Sequence, residues 1–73
     1  MLPHVGDRIE LVLMPDDPCP IEPGTQGTVR SVSGPWNSPA GKSWQVSVDW
    51  DVPRSLLLCI PPDEIRIIEM AID

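Results

Sequence analysis

Aromatic side chains are scarce in this sequence, which contains no tyrosine, no phenylalanine and three tryptophans. Grooves that bind polyproline helices are usually lined by several aromatic side chains. A proline-rich ligand is therefore disfavoured by composition alone. An aromatic binding surface, if there is one, must be built from Trp36, Trp44 and Trp50.

Residues that carry catalysis or bind metals are also few. His4 is the only histidine, and no serine or cysteine lies in a recognisable nucleophile motif. A zinc site needs three or four ligands, and Cys19 and Cys59 are far from His4 in sequence. The acidic pairs lack the spacing of a calcium loop, so we interpret them as solvated charge. We expect no enzymatic activity, no cofactor and no metal.

Basic residues are outnumbered, with five Lys and Arg against eleven Asp and Glu, and the formal net charge is −6. Affinity for nucleic acids is built largely from Lys and Arg. Nucleic-acid binding is therefore disfavoured. It stays open as an alternative. Residues 24–29 read GTQGTV, and small barrels with a turn of this Gly-Thr-x-Gly-Thr-Val kind also occur in RNA-associated and ribosome-associated proteins.

Long apolar runs are absent, since none approaches the roughly 20 residues that span a bilayer. The N-terminus lacks the basic-then-apolar pattern of a secretory signal. We expect a cytoplasmic protein that does not interact with membranes, with Cys19 and Cys59 as reduced thiols. A single disulfide between them is the alternative.

Proline is abundant, and four of the ten prolines lie in one stretch, residues 14–27, which we call the proline loop. Proline fixes φ and lacks an N–H, so neither a helix nor a central strand can run through this stretch. Pro23 and Gly24 then predict a tight turn. The spacing of the prolines could also make the loop a ligand for another protein, although a stiff connection accounts for it.

Hydrophobic patterns around this loop predict five short strands. They cover residues 7–14, 27–33, 44–50, 55–60 and 65–70. The side chains predicted to point inward from the first strand region are Val5, Ile9, Leu11 and Leu13. The apolar run at residues 56–59 predicts a strand buried on both faces, and residues 34–43 are predicted to be a surface loop by composition.

The order of these elements predicts one domain over residues 1–73, an all-β five-stranded SH3-like barrel. Residues 61–64 predict a short 3₁₀ turn before the last strand, and residues 71–73 a frayed end. An OB-fold also has five strands, but it often carries a helix between the third and fourth. Only four residues separate those strands here, which is too few for that helix.

Several motifs carry a resemblance to a known family. They read GDRIELV at residues 6–12, MPDDP at 14–18, PGTQGTV at 23–29 and VDWD at 48–51. In these motifs the chain resembles a family of short bacterial and phage domains of unknown function. The resemblance covers nearly the whole chain and implies no particular activity.

The candidate binding surface lies between the two long predicted loops, residues 14–27 and 34–43. Its predicted residues are Trp36, Trp44, Asp16, Asp17 and Glu22. An indole on a loop rich in Pro, Gly and Ser either folds back onto the barrel or meets a partner, which makes Trp36 a candidate. Trp44 fits the core equally well, and the alternation of Trp50 with valines favours the core.

We therefore expect a module that mediates protein–protein interaction through this face. There are two alternatives to this function. One is nucleic-acid binding, and the other is that the chain is a structural component of a phage or mobile-element assembly. In that case exposed edge strands would pair between copies of the chain.

Overall fold

A computed structural model describes residues 2–15, 17–39 and 41–71. It contains one antiparallel sheet of five strands. The strands are β1 Arg8–Leu13, β2 Gln26–Ser38, β3 Gly41–Trp50, β4 Leu58–Ile60 and β5 Glu64–Glu69. Their order in the sheet is β4-β3-β2-β1-β5, so β5 returns to pair with β1. The predicted five-stranded all-β fold is confirmed, and the order is consistent with a small barrel.

The core follows the alternation of β3. Val46, Val48 and Trp50 are buried, as their period of two predicts. Trp50 also donates its Nε1–H to the carbonyl of Leu56 at 3.0 Å, so its polar atom has a partner inside the fold. The buried residues that complete the core are Ile9, Leu11, Met14, Ile21, Val29 and Leu58. In the described part of the chain, no helix is long and apolar enough to cross a membrane.

The inward set predicted for β1 is wrong at both ends. Ile9 and Leu11 are buried, but Leu13 is 44% exposed and Val5 is 59% exposed. The pairing of β1 with β5 shifts register between Leu11 and Leu13. Such a bulge places two residues opposite one, so the alternation breaks and Met14 becomes the next buried side chain.

Within residues 34–43, predicted to be a loop, residues 34–38 and 41–43 belong to strands. β2 runs on to Ser38 and pairs Trp36 with Ser43 and Asn37 with Lys42. The register shifts between Ser33 and Trp36, so Pro35 lies at an irregularity where it takes no ladder position. The composition indicated a loop, but the register shift accommodates Gly34 and Pro35 without ladder pairs. The pairing of β2 with β3 then continues from Trp36.

The fourth strand is shorter and less buried than predicted. Only Leu58–Ile60 pairs with β3. Leu58 is fully buried, whereas Leu57 is 56% exposed, so the apolar run alternates between core and solvent. Residues 51–57 form a loop without regular structure. The run is therefore not buried on both faces, because a strand at the edge of this sheet has only one face against the core.

The connection between β4 and β5 is a turn, but not the predicted 3₁₀ turn. The N–H of Asp63 donates to the carbonyl of Cys59 at 2.9 Å, four residues back. The carboxylate of Asp63 in turn accepts the N–H of Cys59 at 2.8 Å. These reciprocal bonds close the turn that carries Pro61 and Pro62.

Asp7 ties the two ends of the described chain together. Its side chain is buried, and its two carboxylate oxygens accept the N–H of His4 at 2.8 Å and the N–H of Ala71 at 2.7 Å. The frayed end predicted from residue 71 is therefore wrong for Ala71, which is held by this bond. Residues 72 and 73 lie outside the described residues.

Stability is expected to fall at acid pH because of Asp7. Hydrogen bonds from His4 and then Ala71 lower the pKa of Asp7 below its ordinary value of 3.8. In acid, Asp7 binds a proton more readily in the unfolded chain than in the folded chain, so unfolding is favoured. The contribution should be complete above about pH 5 and should be lost progressively as the pH falls through and below 3.8. Urea midpoints measured across this range test the expectation, and Asp7→Asn should flatten the slope.

Candidate functional site

An open groove of about 320 Å³ lies between the proline loop and the β4–β5 turn. We call it the main groove. Its lining residues are Asp17, Pro18, Leu57, Cys59, Pro62 and Asp63. A second groove of about 280 Å³ lies on the other side of Pro62 and Asp63, which line both. The residues that line the second groove alone are Ile60, Pro61, Glu64 and Ile65.

The proline-loop wall of the main groove is fixed by local and long-range bonds. Asp17 Oδ1 accepts the N–H of Cys19 at 2.8 Å, which turns the chain at Pro18. Arg54 Nη2 donates to the carbonyl of Cys19 at 2.7 Å and so joins this wall to the loop of residues 51–57. Ile21 is buried in the core and anchors the rest of the proline loop. The wall is therefore preorganised.

The opposite wall takes its shape from the β4–β5 turn. The reciprocal bonds between Cys59 and Asp63 hold Pro62 at the rim. Leu57 lies just before β4 and exposes 56% of its surface. The site therefore combines exposed apolar surface with carboxylates, and it contains no aromatic side chain among its lining residues. The thiols of Cys19 and Cys59 are both free and exposed.

The structure brings only part of the predicted site to this groove. Asp17 lines the groove, whereas Asp16 lies outside the described residues. Glu22 is exposed, and its carbonyl accepts the N–H of Thr25 in the turn of the proline loop. Glu22 does not line either groove.

The two candidate tryptophans point to opposite faces of the β2–β3 ribbon. Trp36 is 54% exposed and lies directly opposite Ser43 on β3, so these side chains share a face. Trp44 follows Ser43 and therefore points the other way. It is half-buried, and its Cδ1 lies 3.0 Å from the position that a Cβ on Gly34 would occupy. A single surface built from both indoles is not formed.

Sequence reasoning missed the wall opposite Asp17. Leu57 and Cys59 belong to an apolar run that we interpreted as buried, and Pro62 and Asp63 to a turn with no assigned role. The sequence feature that could have predicted this wall is the short apolar run before Pro61 and Pro62. Prolines end a strand, so the residues beside them can form the edge of a groove. That feature does not identify the facing loop.

Most of the arginines are engaged within the fold. Arg8 forms a bidentate pair with Asp51, and the single Nη2 of Arg66 donates to both carboxylate oxygens of Glu10. The hydrogen bond to Asp51 raises the pKa of Arg8, and the same bond lowers the pKa of Asp51. These ion pairs place a carboxylate beside each of two arginines that a phosphate would otherwise contact. Within the described ranges, no three His, Cys, Asp or Glu side chains are grouped so that they could hold a metal.

No family model, no curated protein and no solved structure matches this chain. The function of the chain must therefore be inferred from the geometry of the grooves.

Proposed function

We propose that this chain is a small SH3-like module that binds a segment of a partner protein in the main groove. One observation carries the proposal, which is that Leu57 exposes 56% of its surface and lines a groove whose two walls are held by hydrogen bonds. An exposed apolar residue beside convergent polar groups is typical of interaction sites. The protein is not proposed to be an enzyme.

The size of the groove favours a peptide segment over a small metabolite. A volume of about 320 Å³ is at the lower end of the range of roughly 300–1,000 Å³ found for small-molecule sites. The groove is also open to solvent. A short segment of a larger partner can use such a groove, because its remaining contacts lie on the surrounding surface.

The alternative functions are less well supported. Nucleic-acid binding is opposed by the net charge of −6 and by the ion pairs of Arg8 and Arg66 with carboxylates. Self-assembly through edge strands would use β4 or β5. β4 has three residues, and β5 has two register shifts against β1 and carries charged residues, which are features that discourage pairing between edges. Membership of the bacterial and phage family stays a prediction.

Selection from a random peptide display library tests the proposal. The immobilised protein is expected to enrich peptides, and Leu57→Ser is expected to weaken their binding by about tenfold, because one apolar anchor is worth roughly 1–3 kcal/mol. The control is Val12→Ser. Val12 is 45% exposed but lies on β1, outside either groove.

A Trp36→Ala variant separates the groove from the hairpin. Binding that survives Trp36→Ala and is lost with Leu57→Ser supports the main groove. The opposite pattern would move the site to the exposed indole of Trp36. Failure to enrich any peptide, with the protein shown to be folded by its NMR spectrum, would overturn the interaction function itself.

A further inference from the structure

The two grooves carry negative charge with no basic side chain among their lining residues. Asp17 lies in the main groove, Glu64 lies in the second groove, and Asp63 lines both. Arg54 donates to the carbonyl of Cys19 in the proline-loop wall, and Arg8 and Arg66 are paired with Asp51 and Glu10. The three carboxylates that line the grooves therefore outnumber the guanidinium of Arg54 on this face.

The carboxylates differ in what they can offer a ligand. Asp63 is 9% exposed and accepts the N–H of Cys59, so its role is to shape the turn. Asp17 is half-buried, and its Oδ1 accepts the N–H of Cys19. A carboxylate has about four acceptor sites, so Asp17 retains capacity for a donor in the groove. Glu64 is exposed at the first position of β5.

We infer that the occupant of the grooves is an extended cationic segment of a partner protein, an inference that rests on the proposed function. An apolar side chain of the segment contacts Leu57 and Pro62. Lys or Arg side chains two positions before and after it, on the same side of the segment, approach Asp17 in the main groove and Glu64 in the second. In an extended segment, alternate side chains point to the same side about 6–7 Å apart, so neighbouring contacts of this kind can be made together.

The charge of the whole chain favours the same partner. A net charge of −6 attracts a basic segment at long range and accelerates its association. Salt screens such attraction over about 10 Å at 0.1 M. Binding should therefore weaken as ionic strength rises. The absence of aromatic rings from the groove lining separates this mode from recognition of a polyproline helix.

The probes are three fluorescein-labelled peptide pools of equal length. Each peptide carries one leucine, with the varied residue two positions before it and two positions after it and serine between them. The varied residue is Lys or Arg in the basic pool, Gln in the neutral pool and Asp or Glu in the acidic pool. Fluorescence anisotropy at low ionic strength is expected to rank the basic pool at least about tenfold above the neutral pool. Chemical shifts of the ¹⁵N-labelled protein should change at Asp17, Leu57 and Glu64.

A pair of double variants isolates the two carboxylates. Asp17→Asn with Glu64→Gln should weaken binding of the basic pool by about three- to tenfold and leave the neutral pool unchanged. Asp49→Asn with Glu69→Gln removes the same charge from two exposed positions outside either groove. This control should have a much smaller effect. Asn at position 17 keeps an oxygen that can accept the N–H of Cys19, and thermal melts verify that each variant is folded.

The outcomes distinguish this inference from the function on which it rests. Equal affinity for the basic and neutral pools, with shifts in the groove, overturns the cationic inference and leaves the interaction function standing. Equal losses in the two double variants also overturn it, because diffuse attraction would then account for binding. If no pool shifts groove resonances and the display selection enriches nothing, the interaction function fails as well.

Discussion

Asp7→Ala is expected to lower the melting temperature by at least about 10 °C. The carboxylate is 2% exposed and accepts the N–H groups of His4 and Ala71 on its two oxygens. Alanine would leave both donors without an acceptor in a partly buried place, which costs more than the bonds themselves contribute. It would also release the strand end at Ala71 from the lead-in to β1. Thermal unfolding followed by circular dichroism measures the change.

Two variants make this result specific. Asp49→Ala also removes one negative charge, but from an exposed position on β3, and should shift the melting temperature by about 2 °C or less. Asp7→Asn keeps the shape and one carbonyl oxygen, but its NH₂ cannot accept the second bond, so it should lie between wild type and Asp7→Ala. Asp7→Ala and Asp49→Ala melting together would show that the bonds of Asp7 contribute nothing to stability. Faster amide exchange at Ala71 in Asp7→Ala would report the released end directly.

The parts of the fold that depend on a local pattern could be predicted from sequence. In β3, four apolar residues alternate with polar ones, and three of them, Val46, Val48 and Trp50, are buried, whereas Trp44 is half-buried. A strand with one face against the core shows that pattern in its own sequence. The pattern can therefore be recognised without knowing which strands β3 pairs with. The number and approximate order of the strands followed from such runs and from the prolines and glycines between them.

Bulges could not be predicted, because they arise from two strands together. The shift after Leu11 exists only in the pairing of β1 with β5, and it reverses the faces of every residue beyond it. The shift between Ser33 and Trp36 lets β2 continue through a Gly-Pro step that alone indicates a loop. Each bulge therefore moved a predicted boundary or inverted a predicted face.

Only part of the candidate site could be predicted from the sequence, for the same reason. Asp17 could be identified because the proline loop is a marked local feature. The wall that it faces is formed by residues 57–63, about forty residues further along the chain. A hydrophobic residue left exposed at the edge of a sheet has the same sequence signature as one buried in it. Leu58 is buried and Leu57 is exposed because successive side chains alternate, and the pairing of Leu58 with Val46 on β3 decides which of the two faces the core.

Gly27→Ala is expected to destabilise the fold by about 3 kcal/mol. Gly27 pairs with Ile9 on β1 and with Trp50 on β3, at the point where β2 has a neighbour on each side. A Cβ there would lie 2.6 Å from Val48 Cγ1, 2.9 Å from the carbonyl oxygen of Asp49 and 3.1 Å from Trp50 Cα. A small domain has roughly 5 kcal/mol of stability, so much of it should be lost. Urea unfolding measures the change.

A double variant with Val48→Ala locates the source of this loss. Removing the Val48 methyl relieves the shortest contact, so the combined change should cost less than the sum of the two single changes. Rescue should be incomplete, because the contacts to Asp49 and Trp50 are with backbone atoms that the second substitution leaves in place. The control is Gly24→Ala. A Cβ on Gly24 would meet nothing within 4 Å, so its cost comes from its φ of +94° alone, about 1–2 kcal/mol. Equal losses at the two glycines, or full rescue by Val48→Ala, would mean that the close approach of the β2 and β3 backbones does not limit the side chain at position 27.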